Sequence, residues 1–358
     1  MRFGYGMINC QRFPGDERSY ADLYAEALVL AKEAEAAGFH DVWTTEHHFY
    51  DDGYSPSVLP ICAAFAGATS TIRIGTAILV APLYHPLRLA EDAATVDCLS
   101  GGRLTLGLGL GWRPHEFESL GIPKRERGRR LEDTIAVLRQ AWAGELVTGG
   151  SVLSFEGVAV RPLPAQPAGP PILVAAFGEK GSRRAGRLGD GLIPNAPILL
   201  EELFAMQNLD TDAPDPLRSL VAWFSDSFNE HQPDREPEMP VVVTPSFVWT
   251  GSSDDAWEKV RAHFHQGMWK YEDMGNSGSR SGVEIALAPK LTAESEGALR
   301  STMLVGNPVD LADQLARMQD EAGVELHVLA RMYWPGMTLD DQRRSLTLFA
   351  DEVMPRLA

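Results

Sequence analysis

The sequence is short of cysteine and of positive charge, and both shortages narrow the class of protein. Cys10, Cys62 and Cys98 are the three cysteines among 358 residues, and none forms a CxxC pair. This number and spacing exclude a disulfide framework and a zinc module, and they favour a reducing cytoplasm. Lysine and arginine number 32 against 49 acidic residues, a formal net charge of −17. Such a charge argues against binding nucleic acid or an anionic membrane.

Long apolar runs are also missing. No stretch approaches the roughly 18 uncharged apolar residues of a membrane-spanning helix. The first ten residues, MRFGYGMINC, lack the apolar core of a signal peptide. We therefore expect a cytoplasmic protein that does not associate with membranes.

What the sequence does contain is an alternation of short apolar strands with amphipathic helices. Parallel strands joined by helices imply right-handed crossovers, and about eight of them favour a closed (β/α)8 TIM barrel over an open sheet. The first helix is predicted to begin at Ser19, with Asp22 completing a capping box, and to end at Gly38. The predicted strands are Arg2–Met7, Asp41–Thr45, Ile72–Val80, Arg103–Leu110, Pro171–Ala176, Gly191–Asn195, Val241–Trp249 and Val324–Met332.

We predict a single barrel domain over residues 1–358. Three stretches interrupt the alternation, near 145–170, 200–238 and 273–300. The last of these is rich in Gly, Ser and Glu and follows the seventh strand. Long loops without secondary structure in a compact domain are usually lids or mobile segments, so we expect that role here.

The segment GLGLGW (107–112) has glycines at every second residue, not at the spacing of a GxGxxG dinucleotide fingerprint. On a strand, this period places Gly107, Gly109 and Gly111 on one face. Two interpretations remain open. A flat ring could lie against the bare backbone, or the small residues could relieve crowding inside the barrel.

A second segment, AAFGEKGSRRAGRLGDG (175–191), takes a strand through a glycine turn directly into a helix. Backbone N–H groups at a helix start, close approach at glycines, the Ser182 hydroxyl and the Lys180 cation suit a phosphate. The alternative is an ordinary turn whose arginines face solvent. A further basic run is interpreted as a solvated helix start; it contains Arg125, Arg127, Arg129 and Arg130.

The most informative segment is VWTTEHHF (42–49), in which a strand ends at Glu46, His47 and His48. Consecutive strand residues point to opposite faces, and the chain has no HExxH motif, so a shared metal ion is not predicted. The carboxyl end of a barrel strand is where active sites assemble. A histidine at that position is suited to donate or accept a proton. The alternative is a polar strand end that hydrogen-bonds its neighbours.

Taken in order, these motifs resemble the bacterial luciferase-like family of flavin- and deazaflavin-dependent (β/α)8 enzymes. The matching pieces include RFGYG, AAGFHDVWTTEHHF, RIGTAILVAPLYHPLRLAEDAATVDCLSGGRLTLGLGLG, WRPHEFESLGIPKRERGRRLEDTIAVL, PPILVAAFGEKGSRRAGRLGDG and VGNPVDLADQL. They cover most of the chain, but residues 200–300 are not matched. The resemblance implies a reduced flavin in the barrel mouth, with His47 as the catalytic histidine and His48 and Glu46 beside it.

The resemblance also implies the residues that bind the coenzyme. A non-proline cis peptide is expected at Ala77–Ile78 beneath the ring, and the phosphate is expected at the turn after the fifth strand. A mobile loop over the site (276–300) and a homodimer, with the helices after the second and third strands as its interface, are expected as well. The predicted coenzyme-binding residues are Ala77, Ile78, Gly109, Gly111, Arg113, Ala176, Gly178, Lys180, Gly181 and Ser182.

One departure from the family bears on the choice of coenzyme. Where luciferases have a cysteine and a phosphate-binding arginine, this chain has Gly109 and Leu110, so Arg113 or Lys180 would have to supply the cation. The segments GLGLGWRPHEF and GEKGSRRAGRLGDG are similar to branches that use a 5-deazaflavin coenzyme, whereas EHHF is typical of the flavin monooxygenases.

Three hypotheses follow from the resemblance. The leading one is a two-component monooxygenase that takes reduced FMN from a separate flavin reductase and uses oxygen to oxygenate a small organic substrate. The second is a deazaflavin-dependent oxidoreductase that transfers hydride without oxygen, and the third is a flavin-binding protein without catalysis. Candidates for the apolar substrate pocket are Trp223, Phe247 and Trp249.

Overall fold

A computed structural model describes residues 1–194, 216–235, 242–251, 256–276 and 285–357. Within these ranges the strands and helices follow the alternating pattern of the sequence. The strands are β1 Arg2–Ile8, β2 Asp41–Thr44, β3 Arg73–Thr76, β4 Leu79–Val80, β5 Leu104–Gly109, β6 Leu146–Val147, β7 Val158–Ala159, β8 Ile172–Ala176, β9 Gly191–Pro194, β10 Val242–Thr250, β11 Leu304–Gly306 and β12 Leu326–Arg331. The helices are α1 Tyr20–Ala36, α2 Val58–Ala68, α3 Pro86–Ser100, α4 Pro114–Ser119, α5 Arg127–Trp142, α6 Glu179–Leu188, α7 Pro216–His231, α8 Ala256–Asn276, α9 Ala293–Ser301, α10 Pro308–Ala322 and α11 Leu339–Leu348.

Eight parallel strands close into a barrel in the order β1, β2, β3, β5, β8, β9, β10, β12 and back to β1. Helices lie between the strands, which confirms the predicted (β/α)8 fold. The predicted capping box is also present, since Ser19 accepts from the Asp22 amide and Asp22 accepts from the Ser19 amide. No helix among the described ranges is long and apolar enough to cross a bilayer.

The structure differs from the prediction in five places. The predicted strand Ile72–Val80 is two strands, β3 and β4, because the chain leaves the ladder at Ala77–Ile78. The predicted interruption at 200–238 contains α7, and that at 273–300 contains the end of α8 and most of α9. A short hairpin of β6 and β7 lies within 145–170. Finally, β11 was not predicted; it pairs with the last residues of β10, outside the closed ring.

The largest side chain in the buried cluster inside the barrel is Trp43 of β2, which is 1% exposed and lies with Leu173, Ile193, Val243 and Leu329. Glycines of the neighbouring strands make room for it. A Cβ added at Gly4, Gly6 or Gly75 would lie within 3 Å of an atom of Trp43. At its base the Trp43 indole donates to Asp41, whose carboxylate also contacts His327 Nε2 at 3.0 Å. Side chains therefore fill this part of the barrel interior. The polar groups described below lie at the carboxyl ends of the strands.

Replacing Gly75 by alanine should destabilise the fold. The new Cβ would lie 2.2 Å from Trp43 Cε3, and overpacking of a close-packed interior costs about 1–3 kcal/mol. The matched control is Gly67→Ala, because Gly67 lies on the exposed face of α2 with no atom within 4 Å of an added Cβ. That change should stabilise by roughly 0.5–1 kcal/mol through helix propensity. Urea unfolding of both variants measures the difference, and equal stabilities would contradict this account of the interior.

Candidate active site

Polar side chains follow the carboxyl ends of β2 and β5, at the face of the barrel where parallel strands present their last residues. His47 follows β2 and is 8% exposed. Its Nδ1 lies 2.9 Å from Oε1 of Glu116, a fully buried residue of α4. The same carboxylate oxygen accepts the backbone N–H of His48 at 3.0 Å. Glu116 therefore holds both the ring and the backbone of the histidine segment.

Glu116 is charged in this setting. Burial alone would raise its pKa, but the hydrogen bonds and charges of His47 and His48 outweigh burial, so the pKa of Glu116 lies below its ordinary value. Since an ionised carboxylate can only accept, His47 Nδ1 must carry the proton of this contact. The other ring nitrogen, Nε2, makes no hydrogen bond to the residues that the structure describes. It is the atom left to exchange a proton.

His48 forms a separate pair with Glu46. Its Nε2 lies 2.6 Å from Glu46 Oε1, and Glu46 Oε2 accepts the backbone N–H of Val80 at 3.0 Å. The two adjacent histidines, which lie beyond the end of β2 at Thr44, thus contact different carboxylates. Across the described ranges, no group of three or more His, Cys, Asp and Glu side chains is arranged to hold a metal ion.

The pair of His48 and Glu46 should make stability depend on pH. Burial alone would lower the pKa of His48, but the hydrogen bond and charge of Glu46 outweigh burial and raise it. A raised pKa in the folded state adds stability that is complete below the unfolded pKa of about 6.5 and is lost as pH rises through the folded pKa. We therefore expect His48→Gln to lower the free energy of unfolding more at pH 6 than at pH 9. Urea titrations of both proteins at the two pH values test this, and a pH-independent difference would contradict it.

Four aromatic rings surround His47, with ring-centroid distances of 4.8 to 6.1 Å. They belong to Tyr50, Tyr54, Trp112 and Tyr271. The Tyr54 and Tyr271 hydroxyls are 3.1 Å apart, and burial raises the pKa of Tyr54, so it stays protonated. These rings restrict water around the imidazole and provide apolar surface for an organic molecule.

The predicted cis peptide bond is present at Ala77–Ile78, and a second non-proline cis bond joins Gly6 and Met7. The Ala77–Ile78 segment packs against β5, the strand that contains Gly107 and Gly109. A Cβ at Gly109 would lie 2.6 Å from Ile78 Cδ1, and one at Gly107 would lie 2.0 Å from the Thr76 carbonyl oxygen. The glycines therefore do relieve crowding. A ring above Gly109 would also have to contact Ile78, so the open-face interpretation stays a prediction.

The turn after β8 has the expected form. Gly178 precedes α6 without a capping side chain, and the Gly181 position packs against Ala176. Ser182 is fully buried, and its hydroxyl has no hydrogen-bond partner in the described ranges. Lys180 is exposed. Uncapped amides and an orphaned hydroxyl at a helix start fit an anionic group such as a phosphate.

Arg113 contacts the histidine segment, and its role as the phosphate cation stays a prediction. It is 4% exposed, donates to the His48 carbonyl at 2.8 Å and lies over the Tyr50 ring. Its contacts instead fix the backbone of the histidine segment. A cation that we did not predict for this role, Arg127, donates to the Gly111 carbonyl at 2.7 Å. Burial and then the nearby charge of Arg184 on α6 hold the pKa of Arg127 below its ordinary value.

The three pocket candidates lie in different places. Phe247 lies three residues before the end of β10, is half-buried and contacts Phe264 and Trp334. Trp249 is buried in the cluster beneath α8, and Trp223 packs on the outer layer between helices and strands. Trp249 is a core residue, whereas Trp223 and Phe247 are half-buried, and a pocket role for these two stays a prediction.

A closed (β/α)8 barrel with a histidine–carboxylate pair at its carboxyl-end face defines the class of the barrel enzymes. Within it, residues 1–326 match the family model of the luciferase-like monooxygenases. The chain belongs to that family.

Similar proteins include users of both coenzymes. The chain is 27% identical over 366 residues to the oxygenase component of a flavin-dependent trigonelline monooxygenase from Acinetobacter baylyi, covering 99% of this chain and 95% of that one. It is 36% identical over 201 residues to an F420-dependent glucose-6-phosphate dehydrogenase from Beutenbergia cavernae, covering 54% and 56%. The crystal structure of monooxygenase RslO1 from Streptomyces bottropensis superimposes with a TM-score of 0.78 at 25% identity, over 100% of both chains. The first two of these relatives are consistent with a flavin-type coenzyme.

Proposed function

We propose that the chain is the oxygenase component of a two-component flavin-dependent monooxygenase. It would take reduced FMN from a separate flavin reductase and use molecular oxygen to oxygenate a small organic substrate. The observation that carries the proposal is the buried pair of His47 and Glu116 at the barrel mouth, within a ring of aromatic side chains. One relative that matches along nearly the whole chain is an oxygenase component, which supports the same choice.

The residues present fit a bound FMN. The uncapped start of α6, with the orphaned Ser182 hydroxyl, would hold the phosphate, and Arg127 and Lys180 would supply cations. The Ala77–Ile78 segment would support the ring, together with the glycine strand that it covers. When bound, reduced FMN supplies the electrons that activate oxygen.

His47 is assigned the proton transfers of the reaction. Because Nδ1–H donates to Glu116, Nε2 faces the reaction as an acceptor and returns the proton as an imidazolium. Glu116 stabilises that cation without taking the proton, and the pair of His48 and Glu46 fixes the backbone beside it. The aromatic rings exclude water, which favours proton transfer to the substrate or coenzyme over transfer to solvent.

An oxygen-uptake assay tests the proposal. The protein is mixed anaerobically with reduced FMN and candidate substrates, including trigonelline, and then exposed to labelled oxygen. We expect one labelled oxygen atom in the product, and a faster rate when a flavin reductase regenerates reduced FMN. The absence of any labelled product, together with efficient turnover of a reduced deazaflavin, would contradict it.

A deazaflavin-dependent dehydrogenase is the second candidate. It is favoured by the similarity to the F420-dependent dehydrogenase and by Gly109 and Leu110 where luciferases have cysteine and arginine. Here His47 would exchange the proton of a substrate hydroxyl or carbonyl. Fluorescence titrations with FMN and with F420 separate the two candidates, because the proposed monooxygenase should bind FMN more tightly. We also propose a homodimer, which light scattering would test.

A further inference from the structure

Arg331 is the last residue of β12 and lies at the barrel mouth. It pairs in register with Phe247 of β10, and its guanidinium carbon lies 4.0 Å from the Phe247 ring centroid. One of its terminal nitrogens, Nη2, lies 3.4 Å from the Tyr271 hydroxyl. The side chain is half-buried. A strand register and a ring stack therefore fix the direction in which this cation points.

Arg331 has no carboxylate partner among the residues that the structure describes, although the chain has 49 acidic residues. A cation near Arg331 in the chain fold does have a carboxylate partner. Lys270, which precedes Tyr271, is buried and forms an ion pair with Asp51. Removing a charge from water without a partner is costly, so a half-buried guanidinium with no carboxylate within the described ranges is suited to bind an anionic ligand.

A residue that contacts Arg331 also lies against the His47 ring. Tyr271 contacts Arg331 through its hydroxyl and lies edge-on to the His47 ring, with centroids 5.9 Å apart. Phe247 covers one face of the guanidinium, and Tyr54 contacts both Tyr271 and His47. A molecule whose anionic group reached Arg331 would therefore place its body against aromatic rings beside the proposed proton-transfer group.

We propose that Arg331 binds the carboxylate of an aromatic carboxylic acid and so determines the substrate class; this rests on the proposed function. A planar guanidinium forms two parallel hydrogen bonds to a carboxylate, which suits a single anchoring cation. The features that suit a phosphate, a glycine turn and an uncapped helix start, lie at α6 and not at Arg331. The ring of the acid would stack among Phe247, Tyr271 and Trp112, and its reactive carbon would face His47.

Binding of matched probes tests this assignment. Benzoate, 2-naphthoate and nicotinate are each compared with the corresponding carboxamide by calorimetry, without flavin and without turnover. We expect the protein to bind at least one carboxylate about tenfold or more tightly than its amide. Arg331→Gln should remove that preference, and Arg331→Lys should restore part of it. Arg317→Gln, a change on the exposed side of α10, is the control and should leave it intact.

Two outcomes would overturn the assignment. One is that the unchanged protein prefers no carboxylate over its amide in any pair. The other is that Arg331→Gln keeps the carboxylate preference and instead weakens FMN binding. That result would indicate that Arg331 binds the coenzyme. Circular dichroism and urea unfolding show that each variant is folded. Because no oxygen or turnover is involved, this experiment can fail while the oxygenation assay succeeds, and the reverse also holds.

Discussion

Replacing His47 by alanine is expected to lower kcat/KM of the proposed oxygenation by about 10²–10⁴-fold, the usual contribution of a positioned acid–base group. The loss follows from the site geometry. Nδ1 is engaged by Glu116, and Nε2 is the ring nitrogen that makes no hydrogen bond to described residues. No other described imidazole takes that position, because His48 Nε2 is paired with Glu46. Steady-state oxygen uptake with a flavin reductase present measures the effect.

Two further variants make the His47 result interpretable. His47→Asn keeps a donor near the position of Nδ1 but has no proton acceptor beyond it, so its loss of activity should equal that of His47→Ala. His231→Ala is the matched control, since His231 lies in the last turn of α7 and contacts Ser227. It should retain full activity. Unchanged turnover in His47→Ala would remove the assigned role and would favour a protein that binds flavin without catalysis.

Local patterns account for most of the barrel. The capping box at Ser19 and the buried strands were predictable because each depends on neighbours along the chain. Helix α7 was missed although its pattern is present, with Leu217, Leu220, Phe224 and Phe228 buried at helical spacing. Strand β11 was not predictable, since three residues beside a helix give no clear period and its partner lies far along the chain.

The site was predicted only in part, for a related reason. Residues 46–48 could be predicted as site residues because they follow a predicted strand. Glu116 did not, because a glutamate in a short helix gives no sign that it will be buried against a histidine 69 residues earlier. Tyr271 meets Tyr54 across 217 residues, and Arg331 meets Phe247 through strand register. The contacts of Arg113 were not predictable, because nothing in the sequence shows which carbonyl a buried guanidinium will reach.

Replacing Glu116 by glutamine should lower kcat/KM by about 10²-fold while keeping the fold. Oε1 accepts from both His47 Nδ1 and the His48 amide, and an amide oxygen can keep both bonds. The amide nitrogen would take the place of Oε2, which has no hydrogen-bond partner in the described ranges. The variant therefore removes mainly the negative charge, and a charge-assisted hydrogen bond contributes roughly 1.5–3 kcal/mol. Oxygen uptake measures the activity, and urea unfolding checks the fold.

The role of Glu116 is resolved by combining the two substitutions. If its carboxylate acts by orienting His47 and stabilising its cationic form, then it has nothing to act on once the imidazole is gone. Glu116→Gln should then cost at most a few-fold in a His47→Ala background, so that the double variant resembles the single His47 variant. Independent, multiplying losses would instead show that Glu116 contacts the substrate or coenzyme directly. It would then be a second catalytic group, and its Oε2, which is free of hydrogen bonds to the described residues, would be the atom that makes that contact.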